Sequence, residues 1–114
     1  MSGCLFCRIV AGEIPSDLVA ESDEWIAFRD INPQAPTHVL VVPRRHLATL
    51  DDLDDGDAPL AGALVSAAAE IARAEGLVED GYRVVLNCGV GAGQSVFHIH
   101  LHLLGGRRFR WPPG

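Results

Sequence analysis

Residues 97–104 read FHIHLHLL, a run in which a histidine stands at every second position. His98, His100 and His102 are three of the five histidines in the chain. Successive side chains of a β-strand point to opposite faces, so the three imidazoles are predicted to share one face of a strand at residues 96–104. The apolar residues between them share the other face, which is predicted to pack in the core: Phe97, Ile99, Leu101 and Leu103.

Three imidazoles on one face of a strand have three interpretations. They form the polar outer side of an amphipathic strand, they chelate a metal such as zinc, or one of them is a nucleophile toward phosphorus. A glycine-rich segment with Gly91, Gly93, Gln94 and Ser95 lies directly upstream. Such a segment lets backbone N–H groups approach an oxyanion closely, so it favours phosphate chemistry over a pure metal site.

The rest of the chain predicts an α+β fold with a largely antiparallel sheet. Apolar, β-branched or alternating runs predict further strands at residues 18–21, 25–28, 38–43 and 82–88. A short helix is predicted at residues 5–11 and a long amphipathic helix at residues 59–75. These elements show no regular β-α-β alternation, which favours antiparallel pairing over a parallel sheet.

Composition narrows the class of protein. A length of 114 residues with 48% hydrophobic residues predicts a single globular domain at residues 1–114. The net charge of −6 argues against binding to a nucleic-acid polymer, and no apolar run approaches the ~18 residues that span a bilayer. The three cysteines are an odd number and no signal-peptide pattern is evident, so a reduced, cytoplasmic setting is predicted.

Four segments together resemble one known family. QSVFHIHLHLLGGR matches the histidine triad motif, and DINPQAPTHVLVVPRRH, GYRVVLN and WPPG resemble the Hint branch of the histidine triad (HIT) superfamily. The resemblance extends over residues 6–114. It implies the HIT fold, with a five-stranded antiparallel sheet, one long and one short helix, and a homodimer whose sheets join across the interface.

The resemblance also implies an activity, the hydrolysis of purine nucleoside 5′-phosphoramidates or aminoacyl adenylates through a nucleotidyl-histidine. His100 matches the nucleophile, His102 and Ser95 match groups that contact phosphate and assist the leaving group, and His38 matches a histidine that either orients His100 or only packs. The nucleotide-binding positions that it implies are Phe6, Ile9, Phe28 and Ile31 for the base, Asp30 for the ribose, and Asn87, Gly93 and Gln94 for the phosphate. Two alternatives remain, a dinucleoside polyphosphate hydrolase of the same superfamily and a nucleotide-binding scaffold with negligible turnover.

The pair Cys4 and Cys7 forms a C-x-x-C at the first helix. Two thiolates are half of a tetrahedral zinc site, and bacterial relatives of the resembled family imply His46 and His98 as the other two ligands. The zinc would be structural, and no cofactor is expected for catalysis. The alternative is two small apolar residues buried on one face of a short helix.

Overall fold

The computed structural model describes residues 3–114. Its regular elements, in chain order, are helix α1 (Leu5–Val10), strands β1 (Leu18–Glu21), β2 (Trp25–Arg29) and β3 (Thr37–Pro43), helix α2 (Ala58–Ala74), and strands β4 (Tyr82–Val85) and β5 (Leu101–Gly105). Short 3₁₀ turns occur at Leu50–Asp52, Asp55–Asp57 and Val90–Ala92. Over this part of the chain, neither helix combines the length and the apolar character that crossing a membrane requires.

The five strands form one sheet in the order β1-β2-β3-β5-β4, and every neighbouring pair is antiparallel. The strand that comes last in sequence therefore lies inside the sheet, between β3 and β4. This arrangement confirms the predicted α+β class with a five-stranded antiparallel sheet, one short helix and one long one.

The two faces of the sheet are covered differently. Helix α2 packs on one face, in a cluster made only of apolar side chains: Ala27, Val39, Val41, Leu64, Ala67, Ala68, Ile71, Ala72, Leu77, Leu101 and Leu103. Helix α1 contributes Phe6 to a smaller cluster on the other face, with Ile26, Phe28, Leu40 and Val42. Strand β3 supplies alternate residues to both clusters, which explains its unbroken apolar sequence.

Helix α2 matches its predicted bounds within one residue at each end. Its buried stripe contains several alanines, which let the helix lie close to the sheet. At its end, the two Glu75 carboxylate oxygens accept from Arg29 Nη1 and Nη2 of β2 at 3.0 and 3.1 Å. Gly76 then takes a φ of +74°, in the left-handed region where a side chain is strained, so the chain leaves the helix there.

The predicted strand at residues 96–104 is wrong in its first half, because β5 begins only at Leu101. Residues just before it bond to the connection that follows β3: Ile99 N–H donates to the Leu47 carbonyl at 2.7 Å. This departure leaves Phe97 42% exposed instead of in the core. The predicted strand at residues 82–88 is also too long, since β4 ends at Val85.

Candidate active site

The histidines lie on the face of the sheet that carries α1. His102 is in β5, paired with Leu40 of β3 and Val85 of β4, while its neighbours Leu101 and Leu103 point to α2. His100 precedes the strand, and its ring lies 4.9 Å from that of His102 and 5.0 Å from Phe6 of α1. The alternation therefore predicts the face correctly, although the paired strand is shorter than expected.

His100 is held in one tautomer. Its Nδ1 lies 2.8 Å from the carbonyl oxygen of His98, which can only accept, so Nδ1 carries the proton and Nε2 keeps its lone pair. Nε2 has no hydrogen-bond partner within residues 3–114. Because none of the unpartnered side-chain N or O atoms in this part of the chain is fully buried, Nε2 is reached by solvent. Burial lowers the pKa of His100, although bonding to the His98 carbonyl opposes that shift. The ring is therefore neutral at pH 7, and its Nε2 is accessible as a nucleophile.

A second imidazole pair adjoins His100. His38 is 5% exposed, and its Nε2 lies 2.9 Å from His102 Nδ1 and 3.5 Å from Asp30 Oδ2. The pKa of His102 is lowered to about 4, mainly by burial and secondly by charge repulsion from the neighbouring His100 and His38. Burial also lowers the pKa of His38, although the Asp30 carboxylate opposes that shift. Both rings are thus neutral at physiological pH.

A cavity of about 510 Å³ opens beside these histidines, a size that suits a small organic ligand. One part of its wall is apolar, where Phe6 and Phe28 meet edge to face at 5.5 Å. Ile31 also lines it, although that side chain is 99% exposed. The cavity brings together eight residues implied by the sequence: Phe6, Ile9, Phe28, Asp30, Ile31, Ser95, His100 and His102.

A larger recess of about 890 Å³ lies elsewhere, between the end of α2, the start of β4 and residues 106–109. Arg83 and Arg107 flank the ring of Phe109 there, with their guanidinium carbons 5.2 and 4.3 Å from its centroid. No histidine or cysteine lines this recess. The smaller cavity is therefore the candidate active site, since it holds the groups that can do chemistry.

The remaining two histidines meet the two N-terminal cysteines. His98 Nδ1 lies 3.4 Å from Cys4 Sγ, 3.5 Å from Cys7 Sγ and 3.2 Å from His46 Nδ1. His46 Nδ1 is in turn 3.2 Å from Cys7 Sγ, and all four atoms lie within 4.8 Å of one another. A tetrahedral zinc ion with usual Zn–N and Zn–S bonds would hold such atoms roughly 3.3 to 3.8 Å apart.

The donor chemistry also fits zinc. His98 Nε2 lies 2.8 Å from the carbonyl oxygen of Pro43, to which it donates, so the lone pair of His98 is on Nδ1 and faces the cluster. Two thiolates and two imidazoles complete a tetrahedron, and four protein ligands leave no open position for a substrate. The predicted set Cys4, Cys7, His46 and His98 is thus assembled, with the geometry of a structural site.

Comparisons with known proteins identify the family of this chain. A model of the HIT domain family matches residues 11–109. The chain belongs to the HIT family. A 14 kDa zinc-binding protein of Zea mays is 50% identical over 115 residues, covering 99% of this chain and 89% of the relative. A purine nucleoside phosphoramidase of Escherichia coli is 48% identical over 103 residues, covering 90% and 87%. The crystal structure of a HIT family hydrolase from Legionella pneumophila superposes with a TM-score of 0.96 at 55% identity, covering 97% of this chain and 99% of that one.

Three of the implied nucleotide-binding residues do not line the cavity, namely Asn87, Gly93 and Gln94, and neither does His38 of the implied catalytic set. The Gln94 side chain is buried and its amide is occupied, accepting from Gly89 N–H and donating to the carbonyls of Ala48 and Val96. It therefore shapes the loop instead of facing a ligand. Gly93 has a φ of +95°, which only glycine adopts without strain, so the turn before Ser95 depends on it.

Sequence reasoning missed part of the wall of this HIT cavity. Besides Arg29 and Leu40, six further residues line it: Leu5, Ile14, Pro15, Ser16, Asp17 and Val96. Most of them belong to the irregular connection between α1 and β1, where no periodic pattern marks a side chain as facing a ligand. Leu40 and Arg29 also contribute, and the strand pattern predicts Leu40 only as core.

Proposed function

We propose that this HIT protein hydrolyses the P–N bond of purine nucleoside 5′-phosphoramidates, or the acyl phosphate of aminoacyl adenylates, through a nucleotide bound covalently to His100. The observation that carries the proposal is the tautomer of His100, whose Nδ1–H is held by a backbone carbonyl and whose accessible Nε2 keeps its lone pair. A neutral, oriented imidazole is the form that attacks phosphorus. The relative named purine nucleoside phosphoramidase supports the substrate class.

In this proposal the cavity holds the nucleotide in three parts. The base lies against the apolar side chains Phe6, Ile9, Phe28 and Ile31. The ribose hydroxyls donate to the Asp30 carboxylate, which accepts from both hydroxyls of a diol. The α-phosphate lies near His100, His102 and Ser95, and the backbone of the loop at Gly93 and Gln94, with Asn87, completes its surroundings.

The reaction then proceeds in two displacements. His100 Nε2 attacks the α-phosphorus, the P–N bond breaks, and the leaving nitrogen takes a proton relayed from solvent through Ser95 or His102 and departs as an amine. Water then attacks the same phosphorus and gives up a proton by the same route, the bond to Nε2 breaks, and the mononucleotide leaves, which restores neutral His100. Ser95 and His102 are the polar groups on the wall that can assist the leaving group. Two easier displacements replace one difficult one.

The decisive experiment compares wild type with His100→Ala on adenosine 5′-phosphoramidate, with a diadenosine polyphosphate as a second substrate. Wild type should release AMP rapidly from the phosphoramidate only, and the variant should be slower by about 10³-fold or more while it still binds AMP in calorimetry. Quenched wild-type reactions should show one nucleotidyl group on His100 by mass spectrometry. Faster cleavage of the diadenosine compound would favour the polyphosphate hydrolase, and AMP binding without turnover would favour the scaffold.

We infer that the cluster of Cys4, Cys7, His46 and His98 binds zinc. The inference rests on the ligand distances and on the orientation of His98 by Pro43. The name of the Zea mays relative supports the choice of metal. Zinc at this site would tie α1 to the connection before β5, and it would take no part in bond breaking because no ligand position is open.

We also infer a homodimer formed through the free edge of β4. In the described part of the chain, β4 pairs only with β5, and its residues Tyr82 and Val84 are 37% and 40% exposed. An exposed strand edge with apolar side chains is covered in stable proteins, and a second copy would extend the sheet. Light scattering at micromolar concentration tests this inference, and a monomeric mass would reject it.

A further inference from the structure

A chain of hydrogen bonds runs from the proline-rich loop after β2 to the wall of the cavity. The backbone N–H of Gln34 donates to His38 Nδ1 at 3.0 Å. His38 Nε2 then contacts His102 Nδ1 at 2.9 Å, with Asp30 Oδ2 at 3.5 Å. His102 lines the cavity at the end of this chain.

The direction of every bond in the chain follows from its first member. A backbone N–H can only donate, so His38 Nδ1 has the lone pair and the proton of the neutral ring is on Nε2. That Nε2–H donates to His102 Nδ1, which must accept, so His102 carries its own proton on Nε2. Burial lowers the pKa of both rings, which agrees with two neutral imidazoles.

The loop that begins this chain is itself fixed. Asp30 Oδ1 accepts from the backbone N–H of Asn32 at 2.8 Å, and the side-chain amide of Gln34 donates to the Asn32 carbonyl at 3.0 Å. The other carboxylate oxygen of Asp30 lies beside His38 Nε2, where a negative group favours a proton on that nitrogen. Loop and carboxylate therefore select the same tautomer of His38.

We propose that His38, held by the Gln34 N–H and by Asp30, is a positioning residue that locks His102 as the Nε2–H tautomer. In this state His102 has no free lone pair, so it donates a hydrogen bond to a phosphate oxygen or to the leaving group and accepts none from the substrate. A neutral imidazole that acts only as a donor is a known way to stabilise developing negative charge. The role toward substrate rests on the proposed function, whereas the tautomer does not.

The same assignment makes a cation site at these residues unfavourable. Asp30, His38 and His102 bring three possible ligand atoms within 4.8 Å of one another. A divalent ion there needs lone pairs on both nitrogens, but His38 Nε2 carries a proton and His102 Nδ1 accepts it. The two clusters therefore differ, since His98, whose Nε2–H donates to the Pro43 carbonyl, turns the free lone pair of its Nδ1 toward Cys4, Cys7 and His46.

The test begins with nitrogen-15 NMR of histidine-labelled wild type, with and without AMP. The expected result is a neutral His102 protonated on Nε2 and a neutral His38 protonated on Nε2. A His102 protonated on Nδ1 would overturn the proposal, whatever the substrate proves to be. This measurement separates failure of the positioning role from failure of the proposed function, because it needs no turnover.

Two variants then test the link to catalysis. His38→Leu removes the donor, so His102 should populate both tautomers and kcat should fall about 10- to 100-fold with little change in the AMP dissociation constant. His38→Gln keeps an N–H donor of similar reach. In this variant His102 should be mostly the Nε2–H tautomer, and kcat should be close to that of wild type. Equal kcat in His38→Leu and wild type, or equal losses in the two variants despite intact circular dichroism, would contradict the proposal.

Discussion

The two faces of the sheet use the same strands for different purposes. On the α2 face, every member of the buried cluster is apolar, and none carries a group that titrates. On the α1 face, the apolar cluster around Phe6 and Phe28 adjoins four buried or half-buried imidazoles, those of His38, His98, His100 and His102. Strand β5 shows the contrast within three residues, because Leu101 and Leu103 point to α2 and His102 points away.

The α2 face therefore mainly stabilises the fold, whereas the α1 face carries the groups that can gain or lose protons. Burial of apolar surface on the α2 face contributes free energy without constraining any proton. The imidazoles on the α1 face are desolvated, which lowers their pKa values and disfavours folding whenever the solvent is acidic enough to protonate them. Truncations on the α2 face should therefore lower stability more than activity, whereas changes to His100 or His102 should lower activity more than stability.

The largest effect on stability is expected from Leu103→Ala, because Leu103 is completely buried under α2. The cavity should lower the free energy of unfolding by about 3 kcal/mol, as measured by urea denaturation. The rate per folded molecule should stay within about twofold of wild type, because the adjacent His102 points to the other face. The assay is run without denaturant, at a temperature where the variant is folded. A large loss of kcat under these conditions would show that the two faces are coupled.

Loss of the metal should come next. Cys4→Ala, or removal of zinc by a chelator, is expected to lower the free energy of unfolding by about 2 kcal/mol relative to wild type saturated with zinc, the size of a moderately tight ligand's contribution. It should also lower kcat, because the ligand His98 uses its own carbonyl to orient His100. Cys88→Ala is the matched control, since Cys88 lies outside the cluster. Metal content by mass spectrometry should be near one zinc per chain in wild type and in the control, but not in Cys4→Ala.

A smaller, pH-dependent effect is expected from His102. Its pKa falls from 6.5 to about 4 in the folded protein, so the unfolded chain takes up the proton first as the pH drops. The contribution of this group to stability is complete above about pH 6.5 and is lost between about pH 6.5 and about pH 4, on the order of 1 kcal/mol after allowing for solvent screening. His102→Gln should flatten that part of the unfolding profile, and an unchanged slope would contradict the assignment.

The smallest effect is expected from Ile31→Ala, which tests whether an exposed side chain belongs to the site. Ile31 is 99% exposed, so its truncation should leave the melting temperature unchanged. If the base covers it, the KM for a phosphoramidate should rise about threefold. Val78→Ala, at a position 59% exposed and away from the cavity, should alter neither quantity.

The contrast between the faces also explains what the sequence could predict. Alternation in FHIHLHLL predicts which residues of β5 face α2, and the apolar stripe predicts α2 itself, because both patterns are local. The late start of the paired strand depends on bonds from Ile99 to Leu47 and from His98 to Pro43, partners that are distant in sequence. No periodicity predicts such bonds, so the predicted strand begins too early.

The site follows the same rule. Family resemblance implies the four metal ligands and the residues of the cavity, although distances between them require the fold. The sequence leaves open whether His38 orients His100 or only packs, because both roles place the same residue at the same position. In the structure His38 contacts His102 instead, and the bond from Gln34 N–H is the observation behind the proposed positioning role.

The place of β5 in the sheet has a consequence for synthesis on the ribosome. Of the five strands, β5 comes last in sequence, yet it lies between β3 and β4. A nascent chain that ends before Leu101 can pair β1 to β3, but it leaves β4 without its partner and lacks His102. Strand β4 can therefore join the sheet only after β5 has been synthesised, and the same event brings His102 beside His38.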